Sequence, residues 1–248
     1  MNVRTPAVAG QFYPNDTERL KDMMVDFFSK SPTEKEDAHG IVVPHAGLVY
    51  SGATAAKAYS LVPQRKKIIV IGPNHTVYTR GIVIDPHDAW ESPLGTVPID
   101  DLGLDFNKDS LPHEKEHSIE VQMPFLQHIF DDFTLTPIIA GDINDLSSTN
   151  AANKLNDVID GDTLLVISTD LSHFYPLAMA ENLDKETIKT LKELDLSGMI
   201  DACGVKPLEI AIKLCTKNGW NMNLVDYSTS AEASGDESSV VGYASFWF

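Results

Sequence analysis

Ile68-Ile69-Val70-Ile71-Gly72-Pro73-Asn74-His75 is a run of four β-branched residues closed by a Gly-Pro turn that delivers a histidine. Nothing in the run alternates, so it reads as a strand buried on both faces, as in a parallel sheet covered by helices on each side. The same design repeats outward in both directions. Ile41 to Val43 leads into Pro44-His45-Ala46-Gly47 and then an Ala-rich, helix-like segment from Gly52 to Leu61; Leu164 to Ile167 leads into Ser168-Thr169-Asp170-Leu171-Ser172-His173. Thr134 to Ile139 reads as a further strand. Helical spacing recurs at Ile119, Met123, Leu126 and Phe130, where Pro124 marks either a kink or a first turn. It recurs at Leu183, Thr187, Leu191 and Leu194, and again at Leu208, Ala211, Ile212 and Cys215 behind Pro207. Leu224 to Thr229 and Val240 to Phe248 close the chain as strands. The expected fold is α/β, a single domain over residues 1–248 with a central, mostly parallel sheet flanked by helices.

Composition narrows the function. A chain of 248 residues with 43% hydrophobic content can bury one sizeable core. No stretch reaches the roughly 18 to 20 apolar residues of a membrane span, and Met1 to Pro14 lacks the basic and apolar regions of a signal peptide, so a cytoplasmic location is expected. Cys203 and Cys215 are too few for a disulfide framework and are expected to be free thiols. With 19 Lys and Arg against 36 Asp and Glu, the formal net charge is -17, a field that repels nucleic acid and anionic lipid.

The chemistry is expected where strands end, because loops from neighbouring parallel strands converge there. His45, His75, Asp170 and His173 each follow a predicted strand within a few residues, although they are far apart along the chain. Two imidazoles and a third donor make a mononuclear transition-metal site, and Cys203 is a candidate third donor. The helix opening near Pro207 would favour its thiolate, against the plain reading of a packed, buried cysteine. Cys215 falls on the apolar face of its helix and reads as core. Asp170 and His173 offer a carboxylate and an imidazole three residues apart, suited to acid–base work, although Asp170 or Ser172 equally suits a helix cap. His117 either reaches the crevice or begins the following helix. His39, His87, His113 and His128 have no supporting context. The Gly-x-Ser-x-Gly, Walker and dinucleotide glycine patterns do not occur.

Eight ordered fragments together resemble the Memo family: Ala9 to Pro14, Pro44 to Gly52, Gly72 to His75, Trp90 to Gly95, Glu116 to Gln122, Ser168 to His173, Ala202 to Gly204, and Ser234 to Asp236 with Val240 to Ala244. The resemblance implies a fold similar to the class III extradiol dioxygenases. It implies His45, His75 and Cys203 as metal ligands, His173 as counterpart of the dioxygenase general base, and Asp170 and His117 around the same pocket. The family sets a cysteine where those dioxygenases use a carboxylate; a thiolate favours copper, zinc or an altered iron potential. It also implies iron or copper as cofactor, with zinc a further candidate, and a small-molecule or peptide ligand. In prokaryotes it implies protein partners that include a radical-SAM protein. The expected function is a metal-dependent oxidoreductase; the alternatives are a non-catalytic peptide- or partner-binding module and a metal-dependent hydrolase.

Overall fold

The computed structural model describes residues 2–248. In chain order the elements are β1 (Val3–Arg4), α1 (Thr17–Ser29), β2 (Gly40–Val43), α2 (Leu48–Leu61), β3 (Lys67–Gly72), β4 (Ile82–Ile84), β5 (Ala89–Ser92), β6 (Gly95–Pro98) and β7 (Asn107–Lys108). There follow α3 (Leu111–Glu114), α4 (Met123–Ile129), β8 (Thr134–Ala140), α5 (Asp145–Val158), β9 (Thr163–Ser168), β10 (His173–Tyr175), α6 (Leu177–Glu193), α7 (Val205–Asn218), β11 (Asn223–Thr229), α8 (Ala231–Ser234) and β12 (Val240–Trp247). Pro124 occupies the first turn of α4 behind a short 3-10 turn, Glu120–Gln122, so it starts that helix and does not kink it.

The main sheet has the order β10-β12-β2-β9-β3-β8-β4-β7, with β11 paired to β12. Its centre, β2, β9, β3 and β8, is parallel. The flanks are not: β12 joins β2, and β4 joins β8, antiparallel. A small second sheet pairs β1, β5 and β6.

The apolar runs explain the layering. Along β3, Ile68 and Val70 enter one core with α1, α2 and α4, while Ile69 and Ile71 enter the other with α5 and α7. Alternate residues of β2, β8 and β9 divide in the same way, which is why these strands carry no polar face. A fully buried Ile or Val contributes about 1.5–3 kcal/mol relative to an exposed one, so the central strands are held more firmly than the loops they end in. Cys215 lies fully buried in the second core, as expected.

The segment from α3 to the 3-10 turn is held differently, by buried charge. The Arg4 guanidinium donates to Glu120 at 2.7 Å and to the carbonyls of His113 and Glu116, and it lies 4.0 Å from the Trp90 ring centroid. Glu120 further accepts the Ala7 and Val8 amides and the Tyr13 hydroxyl. Both partners are almost completely buried, so the pair is a pin that fixes the segment against the sheet.

Candidate metal centre

Because β2, β9 and β3 are adjacent and parallel, their C-terminal ends open on one edge, and the residues that follow them meet there. Gly72 makes the meeting close. A Cβ at that position would lie 2.5 Å from Ser118 Oγ, so only glycine lets the end of β3 touch the 116–118 segment. Ser118 Oγ donates to the Pro73 carbonyl at 2.8 Å and seals this contact.

Three imidazoles converge as a result. His45, His75 and His117 lie with ring centroids 5.2, 5.4 and 4.7 Å apart, and each offers a ligand atom within 4.8 Å of the others. His45 forms the floor, 1% exposed, while the His75 and His117 side chains are 32% and 18% exposed and form the open side. Burial, with the neighbouring His117 and His75, lowers the His45 pKa well below the usual histidine value, so this ring is neutral, the form that binds metal. Burial also lowers His117, against the pull of Glu116.

Glu116 orients two of these rings. Its carboxylate accepts His75 Nδ1 at 2.9 Å and the His75 amide at 2.5 Å, together with the amides of His117 and Ser118. His117 Nδ1 lies 3.3 Å from the same oxygen. Burial pushes the Glu116 carboxyl up, but the His75 ring and these amides outweigh it and hold its pKa at about 2. An ionised carboxylate only accepts, so His75 donates to it from Nδ1, which leaves Nε2 as the ring nitrogen facing the site. This is the carboxylate–histidine arrangement that steadies metal ligands in general.

Cys203 stands on the other side, its Sγ 3.2 Å from His45 Nε2. It accepts the Asp170 amide at 3.2 Å. Gly204 allows the approach, since a Cβ there would lie 2.6 Å from Thr169. The expectation that helix amides favour the thiolate is corrected here. The sulfur turns back toward β9, and burial, reinforced by the Asp170 charge, pushes its pKa up to about 12, which makes it a thiol in the metal-free chain. A cleft of about 300 Å³ opens beside it, lined by Asn74, Tyr78, Asp142 and Lys206.

Asp170 does not pair with the His173 ring. Its Oδ1 accepts the His45 amide at 2.7 Å and so clamps the loop that carries His45; burial raises its pKa to about 6 despite that bond. His173 begins β10 with Nδ1 2.7 Å from the Leu171 carbonyl. A carbonyl cannot donate, so this ring keeps Nε2 unprotonated when neutral. The remaining histidines stay outside the group: His39 stacks on Trp220, His128 on Phe28, His87 bonds Asp85, and His113 is fully buried beside Trp90.

The description "Memo-like protein" belongs to a family model that matches residues 4–247. This chain is a member of the Memo family. A protein of Methanosarcina mazei described as a MEMO1 family protein is 35% identical over an alignment covering 98% of each chain. One of Aquifex aeolicus with the same description is 36% identical with both chains fully covered. The crystal structure of uncharacterized protein JW3007 from Escherichia coli K12 superposes with a TM-score of 0.55 at 14% identity, covering 83% of this chain and 98% of that one, a likeness of fold alone. The Memo fragments that lie apart in sequence meet at the crevice: Phe12 packs its ring 4.6 Å from His117, and Trp90 supports the arginine that pins the 113–120 segment.

The donor set fits a transition metal. Imidazoles sharing one ion at about 2.0–2.1 Å have nitrogens roughly 3–4 Å apart, so small side-chain shifts suffice from the spacing seen. Sequence reasoning put His117 near the pocket and left Glu116 and Ser168 without a role. The signal available for Glu116 was its place directly before His117, at the head of one Memo fragment.

Proposed function

We propose that this Memo-family chain is a metal-dependent oxidoreductase holding one iron or copper ion between His45, His75 and His117, with Cys203 as the further donor. The observation that carries the reading is the convergence of three imidazoles, two of which have Nδ1 engaged by Ser168 or Glu116 and Nε2 left for the site. A bound iron or copper ion supplies redox chemistry and a coordination position for substrate. The chain's own residues do the rest. His45 binds from a dry floor; His75 and His117 bind from the open side, oriented by Glu116; His173 Nε2 accepts a proton at the rim.

The test is elemental analysis of protein purified without chelator or nickel, beside His45→Ala, His75→Ala, His117→Ala and Cys203→Ala. Near-stoichiometric iron or copper that each histidine change abolishes supports the site, and the Cys203→Ala result decides whether sulfur is a ligand. Oxygen uptake with catecholic and thiol substrates then tests the oxidoreductase reading, and no turnover above free metal overturns it. Zinc in place of iron or copper, with turnover on ester, amide or phosphoester panels, would favour the hydrolase instead.

A second reading has its own support. Val49, Tyr50, Tyr78 and Phe174 are all well exposed and lie within five residues of His45, His75 or His173 in the chain. Exposed apolar side chains of this kind suit a peptide or a protein partner, including a radical-SAM protein. A pull-down that recovers no stable partner, or a Cys203→Ala chain that binds partners normally but loses oxidase activity, would count against this binding-module reading.

A further inference from the structure

The oriented half of the site facing Glu116 has an obvious acceptor. His45 has none of that kind: its Nδ1 meets a serine hydroxyl, a group that both donates and accepts. Which nitrogen of His45 carries the proton therefore depends on where the Ser168 proton goes, and the surrounding bonds decide it.

Ser168 Oγ lies 2.6 Å from the Ser118 carbonyl. A carbonyl only accepts, so the single hydroxyl proton of Ser168 is committed there. Gln122 Nε2 lies 2.9 Å from the Pro44 carbonyl, which fixes that atom as the amide nitrogen, and its other proton is given to Ser168 Oγ, also at 2.9 Å. Gln122 Oε1 accepts from the Tyr59 hydroxyl at 3.0 Å. With its proton spent and one lone pair taken by Gln122, Ser168 Oγ has one acceptor position left. His45 Nδ1, at 2.9 Å, fills it only as N–H. Every side-chain N–H and O–H of Ser168, Gln122 and Tyr59 is then spent and both lone pairs of Ser168 Oγ are used, inside a region where all three residues are fully buried.

We propose that the Ser118 carbonyl, acting through the Ser168 hydroxyl, locks His45 in the Nδ1–H tautomer and holds its Nε2 lone pair bare and aimed at Cys203 and the site. Ser168 is thus a positioning residue for the centre, with Gln122 and Tyr59 steadying it. The inference rests on the reading of the histidine group as a metal centre only for its purpose; the tautomer itself is a property of the metal-free chain.

Long-range ¹H–¹⁵N correlation spectra of the ¹⁵N-labelled, metal-free full chain read the tautomer directly, with His45 assigned by difference from His45→Ala. The wild-type chain is expected to show Nδ1 protonated and Nε2 unprotonated. In Ser168→Ala the acceptor is gone and the proton is expected to move to Nε2. In Gln122→Met, which removes buried bonds but leaves Ser168 on the Ser118 carbonyl, the chain is expected to lose stability and keep the wild-type tautomer. Nε2 protonated in the wild type, or an unchanged tautomer in Ser168→Ala, overturns the proposal. The wild-type spectrum alone is decisive should a variant fail to fold. Competition titration with zinc then reads the consequence: about 10- to 100-fold weaker binding in Ser168→Ala is expected, and equal binding overturns the positioning role. If wild-type protein binds neither zinc, iron nor copper, the metal-centre reading fails while the tautomer result stands on its own.

Discussion

The two halves of the centre are built on different principles. One half, His45 with Asp170, Ser168 and Cys203, is carried by the parallel strands β2 and β9 and the loop before α7, and its polar groups are neutral or close to losing charge. The other half, His117 with Glu116, belongs to no strand; it sits on a segment pinned by the buried Arg4–Glu120 pair and backed by a firmly ionised carboxylate. The sheet-borne half draws its position from apolar packing on both faces, and the segment-borne half draws it from charge. Charge-held geometry fails abruptly when one partner is removed, whereas packing-held geometry degrades by degrees.

The largest effect is expected from Arg4→Ala. It leaves Glu120 buried without its cation, at a cost of about 3–5 kcal/mol in unfolding free energy, and it frees the 113–120 segment, so urea titration and metal content should fall together. Retention of full metal content in a folded Arg4→Ala protein would break the contrast, because the pin would then not be what places His117. Next comes Glu116→Gln. It keeps the size of the side chain but takes the charge from behind His75 and His117, and metal affinity is expected to drop about 100-fold in a zinc competition titration. A loss no larger than that of Ser168→Ala would mean that charged backing has no advantage over neutral backing here.

The two carboxylates offer a finer comparison because their titrations run in opposite directions. Glu116, held at about 2 against an ordinary 4.5, contributes stability that is present above about pH 4.5 and is lost as pH falls toward 2. Asp170, raised to about 6 from 3.8, binds its proton more readily when folded; its ionisation therefore costs stability as pH rises from about 4 to 6 and adds nothing more above that. In metal-free protein the Asp170→Asn advantage over wild type should grow between pH 4 and 6, while the Glu116→Gln deficit should shrink only below about pH 4.5. Parallel pH profiles for the two variants, read from urea unfolding, would show that the two halves do not differ in this way.

Much of the sheet-borne half was legible in sequence. The continuous apolar runs ending at Val43, Ile71 and Ile167 announced strands buried on both faces, and position after a strand placed His45, His75 and Asp170 at one edge. The segment-borne half was not, since Glu114-Lys115-Glu116-His117 looks like an exposed charged stretch, and no local pattern reveals that Arg4, more than a hundred residues earlier, buries it. The direction of a side chain was equally hidden: the start of α7 is where Cys203 was expected, but its sulfur faces β9 and not the helix amides. In sequence Ser168 is only part of a strand-end motif, because its role depends on bonds to Ser118 and Gln122 that no spacing encodes.

The smallest effect is expected at a pair that imitates the centre. His87 Nδ1 lies 2.6 Å from Asp85 Oδ1, a carboxylate-backed imidazole just after a strand, as His75 is. The strand is β4, however, which runs antiparallel to β8, so its end opens on the edge opposite the site, and among the described residues the pair joins no group of three metal-ligating side chains. Asp85 keeps the Trp90 indole N–H at 2.6 Å whatever stands at residue 87. His87→Gln should therefore leave metal stoichiometry unchanged and alter stability by less than about 1 kcal/mol, in the range of ordinary partly exposed substitutions. Metal loss in that variant would mean that backing by a carboxylate matters more than convergence. Unchanged metal would mean that strand direction, which brings three rings to one edge and sends the fourth to the other, is what makes the centre.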